Sequence, residues 1–326
     1  MGSSTSSLAL LFVARALLAQ EPAPPQDPSE QRVTGQVVRP GATRMEPVPS
    51  VWVVLHRVGK DRAAPLDSVR SDARGAYLFR YRRTGEPDAI YFAAASYGGI
   101  AYFTPPLHHA LVKGDEAEIA VFDTTSRAVP ISIRGHHVVV SAVDANAMRS
   151  VTEVYELAND SSVTRVASSE TAGGAVWSAV LPRGARGFRV TEGDVPASAL
   201  QFTNGRASVF APIAPGLKQV AFTYDLPAAS FPLNVPIDRP TQIFEVLVEE
   251  PEGTVTGSSL KEVEPVSLER RTFRRFLASD VPANTLSVID LPAAVRTSVD
   301  RRYLAGLTIL IGAAMVFALA RALARR

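Results

Sequence analysis

The sequence predicts an all-β protein with two tandem antiparallel β-sandwich domains and a C-terminal transmembrane helix. First, short runs of alternating apolar and polar residues recur along the chain, separated by turns rich in its 24 prolines and 21 glycines. Second, an uncharged apolar run stands near the C-terminus. Third, the chain has 326 residues, 46% of them hydrophobic, which is enough for two domains with separate cores.

The N-terminus has the pattern of a secretory signal peptide over residues 1–20. An apolar run at 8–13 is followed by small residues, and cleavage is expected after Ala19 or Gln20. Arg15 interrupts the apolar stretch, so an uncleaved N-terminal helix stays open as the alternative. Residues 21–31 are a proline-rich spacer without a core pattern.

The first sandwich is predicted over residues 32–125. Val51, Val53 and Leu55 share one face of a strand, and Tyr77 and Phe79 share a face of another. The segment 71–75 between them predicts a turn, in which an aspartate bonds the backbone and a glycine takes positive φ.

This region resembles the carboxypeptidase regulatory-like domain. The residues that carry the resemblance are Gly35, Val37, Val51, Val53, Leu55, Ser71, Asp72, Gly75, Tyr77, Phe79, Tyr91, Tyr97 and Gly99. The resemblance implies a small sandwich of the transthyretin-like (prealbumin-like) kind. It also implies a non-catalytic appendage of an exported protein, with no catalytic residues to carry over. A longer polar connection at 56–66 departs from the family pattern and leaves the strand pairing there open.

The second sandwich is predicted over residues 128–292, with a possible split near 226–240. The predicted strands are 131–143, 151–158, 175–181, 187–190, 200–202, 207–210, 218–224, 243–248 and 286–289. Asn204-Gly205 is the strongest hairpin signal in the chain. The segments 154–159, 181–185 and 212–220 resemble those of membrane-anchored exported proteins of bacteria, which implies a bacterial cell envelope.

The C-terminal segment 303–320, from Tyr303 to Ala320, is predicted to cross the lipid bilayer as a helix. At 1.5 Å per residue it covers about 27 Å, with an interfacial tyrosine at one end and arginines flanking both ends. Residues 293–302 are the linker before it, and residues 321–326 are a short cytoplasmic tail. With a signal peptide, this topology exports both sandwiches to the periplasmic or extracellular side.

The chain carries no recognisable catalytic, cofactor or metal motif. It has no cysteine, which excludes disulfides and thiolate chemistry. His136 and His137 are neighbours on a predicted strand, so they point to opposite faces and cannot share one metal ion. The formal net charge is only +2, with no dense basic face, so no nucleic-acid partner is expected. We therefore predict no enzyme, no cofactor and no metal.

Two groups of residues leave alternatives open. The aromatic residues Tyr91, Tyr97, Tyr102 and Phe103, with Phe92 among them, either pack in the core or face a ligand such as a glycan. An acidic stretch at 245–264, followed by arginines at 270–275, predicts a solvated face, and contact of the arginines with lipid phosphates is the alternative.

The sequence as a whole predicts a non-catalytic binding or scaffolding protein of the cell envelope. Its partner is then an envelope protein or a glycan, besides the bilayer. The alternatives are a carbohydrate-binding module and an envelope hydrolase whose carboxylates, for instance Glu153 and Glu156, lie in one cleft.

Overall fold

A computed structural model of the chain describes residues 30–169, 172–191, 193–268 and 270–293. These residues form 23 β-strands and three short 3-10 helices, so the predicted all-β class is confirmed. Within these ranges no helix is long and apolar enough to cross a membrane. The predicted signal peptide at 1–20 and the predicted membrane helix at 303–320 lie outside the described residues and stay predictions.

The described residues divide into two compact units. Unit 1 takes residues 30–39, 45–96 and 101–120, and unit 2 takes 40–44, 97–100 and the described residues from 121 onward. The corresponding boundary predicted from the sequence is at 125–128.

Unit 1 is a sandwich of two four-stranded sheets. Its strands are β1 (Glu30–Pro40), β2 (Met45–Pro47), β3 (Trp52–Val58), β4 (Ala63–Arg70), β5 (Ala76–Arg82), β6 (Ile90–Tyr97), β7 (Ile100–Phe103) and β8 (Leu111–Ala120). One sheet has the order β2-β1-β5, with β8 also paired to β1, and the other has the order β4-β3-β6-β7. The β1–β8 pair is parallel, which departs from the purely antiparallel sandwich that we predict from sequence.

The core of unit 1 comes from the alternating residues of these strands. Leu55 and Phe79 are almost completely buried, as the alternation predicts. Gly35 lies under the ring of Tyr77, whose hydroxyl donates a 2.6 Å hydrogen bond to the carbonyl of Ala117. A Cβ atom at position 35 would overlap both that carbonyl oxygen and the tyrosine ring, so this close approach requires glycine.

The connection at 56–66, left open by the sequence, forms a hairpin between β3 and β4 with a register shift after Leu55. Arg57 is buried beneath the hairpin tip. Its guanidinium donates to both carboxylate oxygens of Asp61 at 2.9 and 3.0 Å and to the carbonyl of Thr84 at 2.8 Å. One buried arginine thus connects the tip of the hairpin to the loop after β5.

Unit 2 contains the remaining strands. They are β9 (Thr124–Thr125), β10 (Ile131–Val140), β11 (Met148–Asn159), β12 (Thr164–Arg165), β13 (Trp177–Val180), β14 (Arg186–Val190), β15 (Leu200–Thr203), β16 (Arg206–Val209), β17 (Gly216–Pro227), β18 (Leu233–Ile237), β19 (Thr241–Val248), β20 (Thr254–Gly257), β21 (Lys261–Leu268), β22 (Arg271–Val281) and β23 (Thr285–Asp290). The main sheet has the order β14-β17-β11-β10-β19-β22-β21, and two three-stranded sheets have the orders β13-β16-β15 and β18-β23-β20.

One hydrophobic core joins the three larger sheets of unit 2. Strands β17 and β19, on either side of the possible split at 226–240, belong to the same sheet. The β10–β19 pair and the short β9–β12 pair are parallel, whereas the sequence predicts an antiparallel arrangement. Long connections separate the strands of each pair in the chain, which allows the parallel direction that a short hairpin forbids.

Candidate functional site

The structure separates the four aromatic residues that the sequence singles out. Tyr91 and Tyr102 are 2% and 6% exposed, whereas Phe103 is 57% exposed. Tyr97 is half-buried, and its hydroxyl donates to a carboxylate oxygen of Asp123 at 2.9 Å. Because neighbouring residues of a strand point to opposite faces, the buried Tyr102 leaves Phe103 on the outer face of β7.

Tyr91 has a structural role in unit 1. Its ring stacks on that of Tyr81, with centroids 5.2 Å apart, and the guanidinium of Arg83 lies 5.2 Å from its ring centre. The hydroxyl bonds the backbone N–H and the carbonyl of Thr84. Tyr91 is therefore not accessible to a ligand, and its neighbour Phe92 lies on the opposite face of β6.

We use the term aromatic face for the outer side chains Trp52, His56, Phe92 and Phe103 together with Arg70, all on the sheet β4-β3-β6-β7. Three of them form a row across β3, β6 and β7. The rings of His56 and Phe92 lie nearly parallel, at 12° with centroids 5.2 Å apart. Phe103 meets Phe92 edge-on at 5.7 Å. Direct pairing of His56 with Phe92 across the strands sets this geometry.

Trp52 and Arg70 form the other end of the aromatic face. They pair directly between β3 and β4, and the guanidinium carbon lies 4.8 Å from the tryptophan ring centre. Trp52 is 49% exposed. Arg70 forms no ion pair with a carboxylate in the part of the chain that the structure describes. The pair thus presents an available positive charge beside an exposed ring.

The apolar side chains around the row extend the aromatic face. Val58 and Ile90, which pair across β3 and β6, are 40% and 48% exposed. Because exposed apolar and aromatic groups gathered on one face are less common than isolated ones, the aromatic face is the candidate binding surface of unit 1. Trp52 and His56 are not among the ligand-facing candidates predicted from the sequence. The signal was present, because the core residues at 51, 53 and 55 require outward residues at 52, 54 and 56.

The two adjacent histidines of β10 point to opposite faces of the main sheet in unit 2. His136 is buried and bonds Glu153 at 2.9 Å, and Tyr155 and Tyr224 each donate to the same carboxylate at 2.7 Å. Burial alone raises the pKa of Glu153, but these hydrogen bonds and the nearby imidazole outweigh burial and hold it below the usual value. On the other face, His137 bonds Glu245 at 2.6 Å.

The carboxylates of the hydrolase alternative do not share a cleft. Glu153 faces the core, whereas Glu156 lies on the opposite face of β11, with an oxygen 3.9 Å from His137 Nε2. This pair therefore cannot flank the scissile bond of one substrate, as the two carboxyl groups of a glycoside hydrolase do. Among the described residues, no group of three or more His, Cys, Asp or Glu could hold a metal ion.

The acidic stretch and the arginines after it pair with each other. The sequence predicts a solvated face here. The segment spans β19 to β22, and β21, which carries Glu262 and Glu264, is exposed along almost its whole length. The ion pairs are Glu249–Arg271, Glu262–Arg274 and Glu245–Arg275. These three guanidinium groups are neutralised by neighbouring strands, which weakens the case for lipid phosphates as their partners.

No protein-family model and no curated protein sequence matches the chain. Among solved structures, the chain is similar to a crystal structure of a variant of the major pilin subunit of Bacillus cereus. The two are 9% identical, and the match covers 80% of this chain and 86% of that chain with a TM-score of 0.18. A score of that size does not establish a shared topology, so the proposals below rest on this chain's own residues.

Proposed function

We propose that the chain is a membrane-anchored, non-catalytic binding protein of the cell envelope, with both units outside the cytoplasm. The observation that carries the proposal is the aromatic face, an exposed surface of rings and one available cation on an otherwise well-packed sandwich. The predicted signal peptide and membrane helix support the location. The histidines, glutamates and arginines described in unit 2 form hydrogen bonds and ion pairs with one another, which does not favour an enzymatic role for them.

The test compares full-length protein in detergent with its double variant Trp52→Ser/Phe103→Ser. Both are immobilised and incubated with an envelope fraction of the organism from which the chain comes, and the retained material is quantified. The control is Leu111→Ser, because Leu111 is 54% exposed, much like Phe103, but lies on the other sheet. We expect retention by the wild type and the control and loss in the double variant.

Equal retention by all three proteins would contradict the aromatic face as the binding surface. Turnover of esters, peptides or glycans by the wild type at ordinary enzyme rates would contradict the non-catalytic part of the proposal.

A further inference from the structure

Resting on the proposed function, we infer that the aromatic face binds an acidic glycan, whose sugar rings stack on the row of His56, Phe92 and Phe103 and whose anionic group pairs with Arg70. This inference names the ligand class, which the proposed function leaves open. Its support comes from the exposed rings, the sign of the charge and the spacing of the two.

The ring row matches the apolar side of a sugar. A pyranose ring presents C–H groups on its broad face, which pack against an exposed aromatic ring while its hydroxyls keep contact with water. Phe103, 57% exposed, is the most open ring of the row; it meets Phe92 edge-on, and Phe92 and His56 stack on each other beside it. The imidazole adds a polar group within hydrogen-bonding reach of a ring seated there.

The charge of the aromatic face is positive and unneutralised. The outward residues of β3, β4, β6 and β7 in the described chain include Arg70 and His56 and no carboxylate; the others are Trp52, Val54, Val58, Ala63, Pro65, Ser68, Ile90, Phe92, Ala94, Ser96, Ala101 and Phe103, with Leu66 unpaired at the register shift of β4. By contrast, Arg57 under the hairpin tip is held by Asp61. Arg70 is therefore free to bind an anion, and the guanidinium geometry suits a carboxylate or a phosphate.

The spacing requires an elongated ligand. Trp52 and His56 are four residues apart on β3, so about 13 Å separates the Arg70 end of the aromatic face from the ring row. Between them lie Val54 and Ala94, which pair across β3 and β6. The side chain of Ala94 is small and only 7% exposed, so the surface is recessed between its two ends. A single monosaccharide cannot reach both ends, whereas a short acidic oligosaccharide can.

The test measures binding of full-length protein in detergent to polygalacturonate and hyaluronan, with uncharged dextran as the neutral probe. The variants are Phe103→Ser, which removes the ring, and Arg70→Gln, which removes the charge. Their controls are Leu111→Ser and Arg80→Gln, both exposed positions on the other sheet. Circular dichroism verifies that every variant keeps the β-structure of the wild type.

We expect at least one acidic glycan to bind, with affinity falling as salt is raised, and dextran to bind far more weakly. Each of the two variants should weaken binding by about tenfold, and the controls should not. Dextran binding as tight as acidic glycan binding, or an unchanged affinity in Arg70→Gln or Phe103→Ser, would overturn the inference. If neither acidic probe binds while the aromatic face still retains envelope material, the inference falls and the proposed function stands. If that retention also fails, both fall.

Discussion

Arg149 donates a 2.7 Å hydrogen bond to the carbonyl of Pro292, at the C-terminal end of the described chain. The arginine side chain is fully buried, and its guanidinium also bonds the carbonyl of Ser141 at 2.9 Å and Glu250 at 3.1 Å. The start of β11 is thereby joined to the segments that follow β10, β19 and β23. The last described residues thus leave unit 2 from a point fixed by one side chain, ahead of the predicted linker at 293–302.

Replacement of this arginine should destabilise unit 2. In Arg149→Met, Glu250 and two carbonyls lose their donor, and we expect a loss of about 3 kcal/mol in the free energy of unfolding. The chain has two tryptophans, Trp52 in unit 1 and Trp177 in unit 2, so a Trp52→Phe background makes fluorescence report on unit 2 alone. Urea unfolding in that background measures the effect. Arg186→Met, at an exposed arginine of β14, is the control and should unfold at the wild-type midpoint.

The buried carboxylate of Glu153 should make the stability of unit 2 depend on pH. Its pKa in the folded chain is lowered, so its ionised form stabilises the fold fully above the unfolded pKa of about 4.3. This contribution is lost as the pH falls through the folded pKa. Glu153→Gln should cost about 2 kcal/mol at pH 7 and flatten the decline of stability below pH 5.

The control for this prediction is Glu262→Gln, an exposed carboxyl paired with Arg274. It should keep the stability of the wild type at pH 7 to within about 0.5 kcal/mol. Unfolding curves of Glu153→Gln and the wild type that run parallel from pH 7 to pH 3 would contradict the assignment to Glu153.

The hairpin between β3 and β4 should open when its ion pair is removed. Asp61→Asn takes the carboxylate from the buried Arg57, which holds the pKa of that carboxyl below its usual range. The tip contains Lys60 and Arg62, so trypsin cleavage there reports on local opening. We expect severalfold faster cleavage at 60–62, measured by mass spectrometry. Asp67→Asn, on β4, is the control, and equal rates in the two variants would count against the role of Arg57.

Gly35→Ala should destabilise unit 1, because the added methyl group meets Tyr77 and the carbonyl of Ala117. Overpacking of this kind costs about 1–3 kcal/mol. Hydrogen exchange followed by mass spectrometry should show faster exchange in β1, β5 and β8, with peptides of unit 2 as the internal control. If β1 of Gly35→Ala exchanged at the wild-type rate, the prediction would be contradicted, because the strands would then make room for the methyl group at no cost in stability.

The alternation of apolar residues is sufficient to predict the all-β class, and the residue types at turns predict several local features. The turn at 71–75 forms with Asp72 accepting bonds from the amides of Arg74 and Ala76, and Gly75 has a φ of 73°. Asn204 and Gly205 both have positive φ between β15 and β16. The conformation of such a turn depends on residues that are adjacent in the chain, so it can be predicted from one sequence.

Features that depend on strand pairing were not accessible from the sequence. The pair Glu262–Arg274 joins the neighbouring strands β21 and β22, and charged residues along both strands obscure an apolar alternation there. The tyrosines and phenylalanines at 91–92 and 102–103 are adjacent aromatics, so composition alone does not tell which of each pair points outward. The burial of Tyr91 and the exposure of Phe103 follow from the phase of each strand relative to the core.

The most direct test of the aromatic face places a photo-cross-linking phenylalanine analogue at position 103 of the full-length protein in living cells. The same analogue at position 111, equally exposed on the other sheet, is the control. After irradiation, the account predicts covalent attachment of envelope material at position 103 and none at position 111. Attachment at neither position, or equally at both, would contradict the claim that this protein binds its partner through the aromatic face.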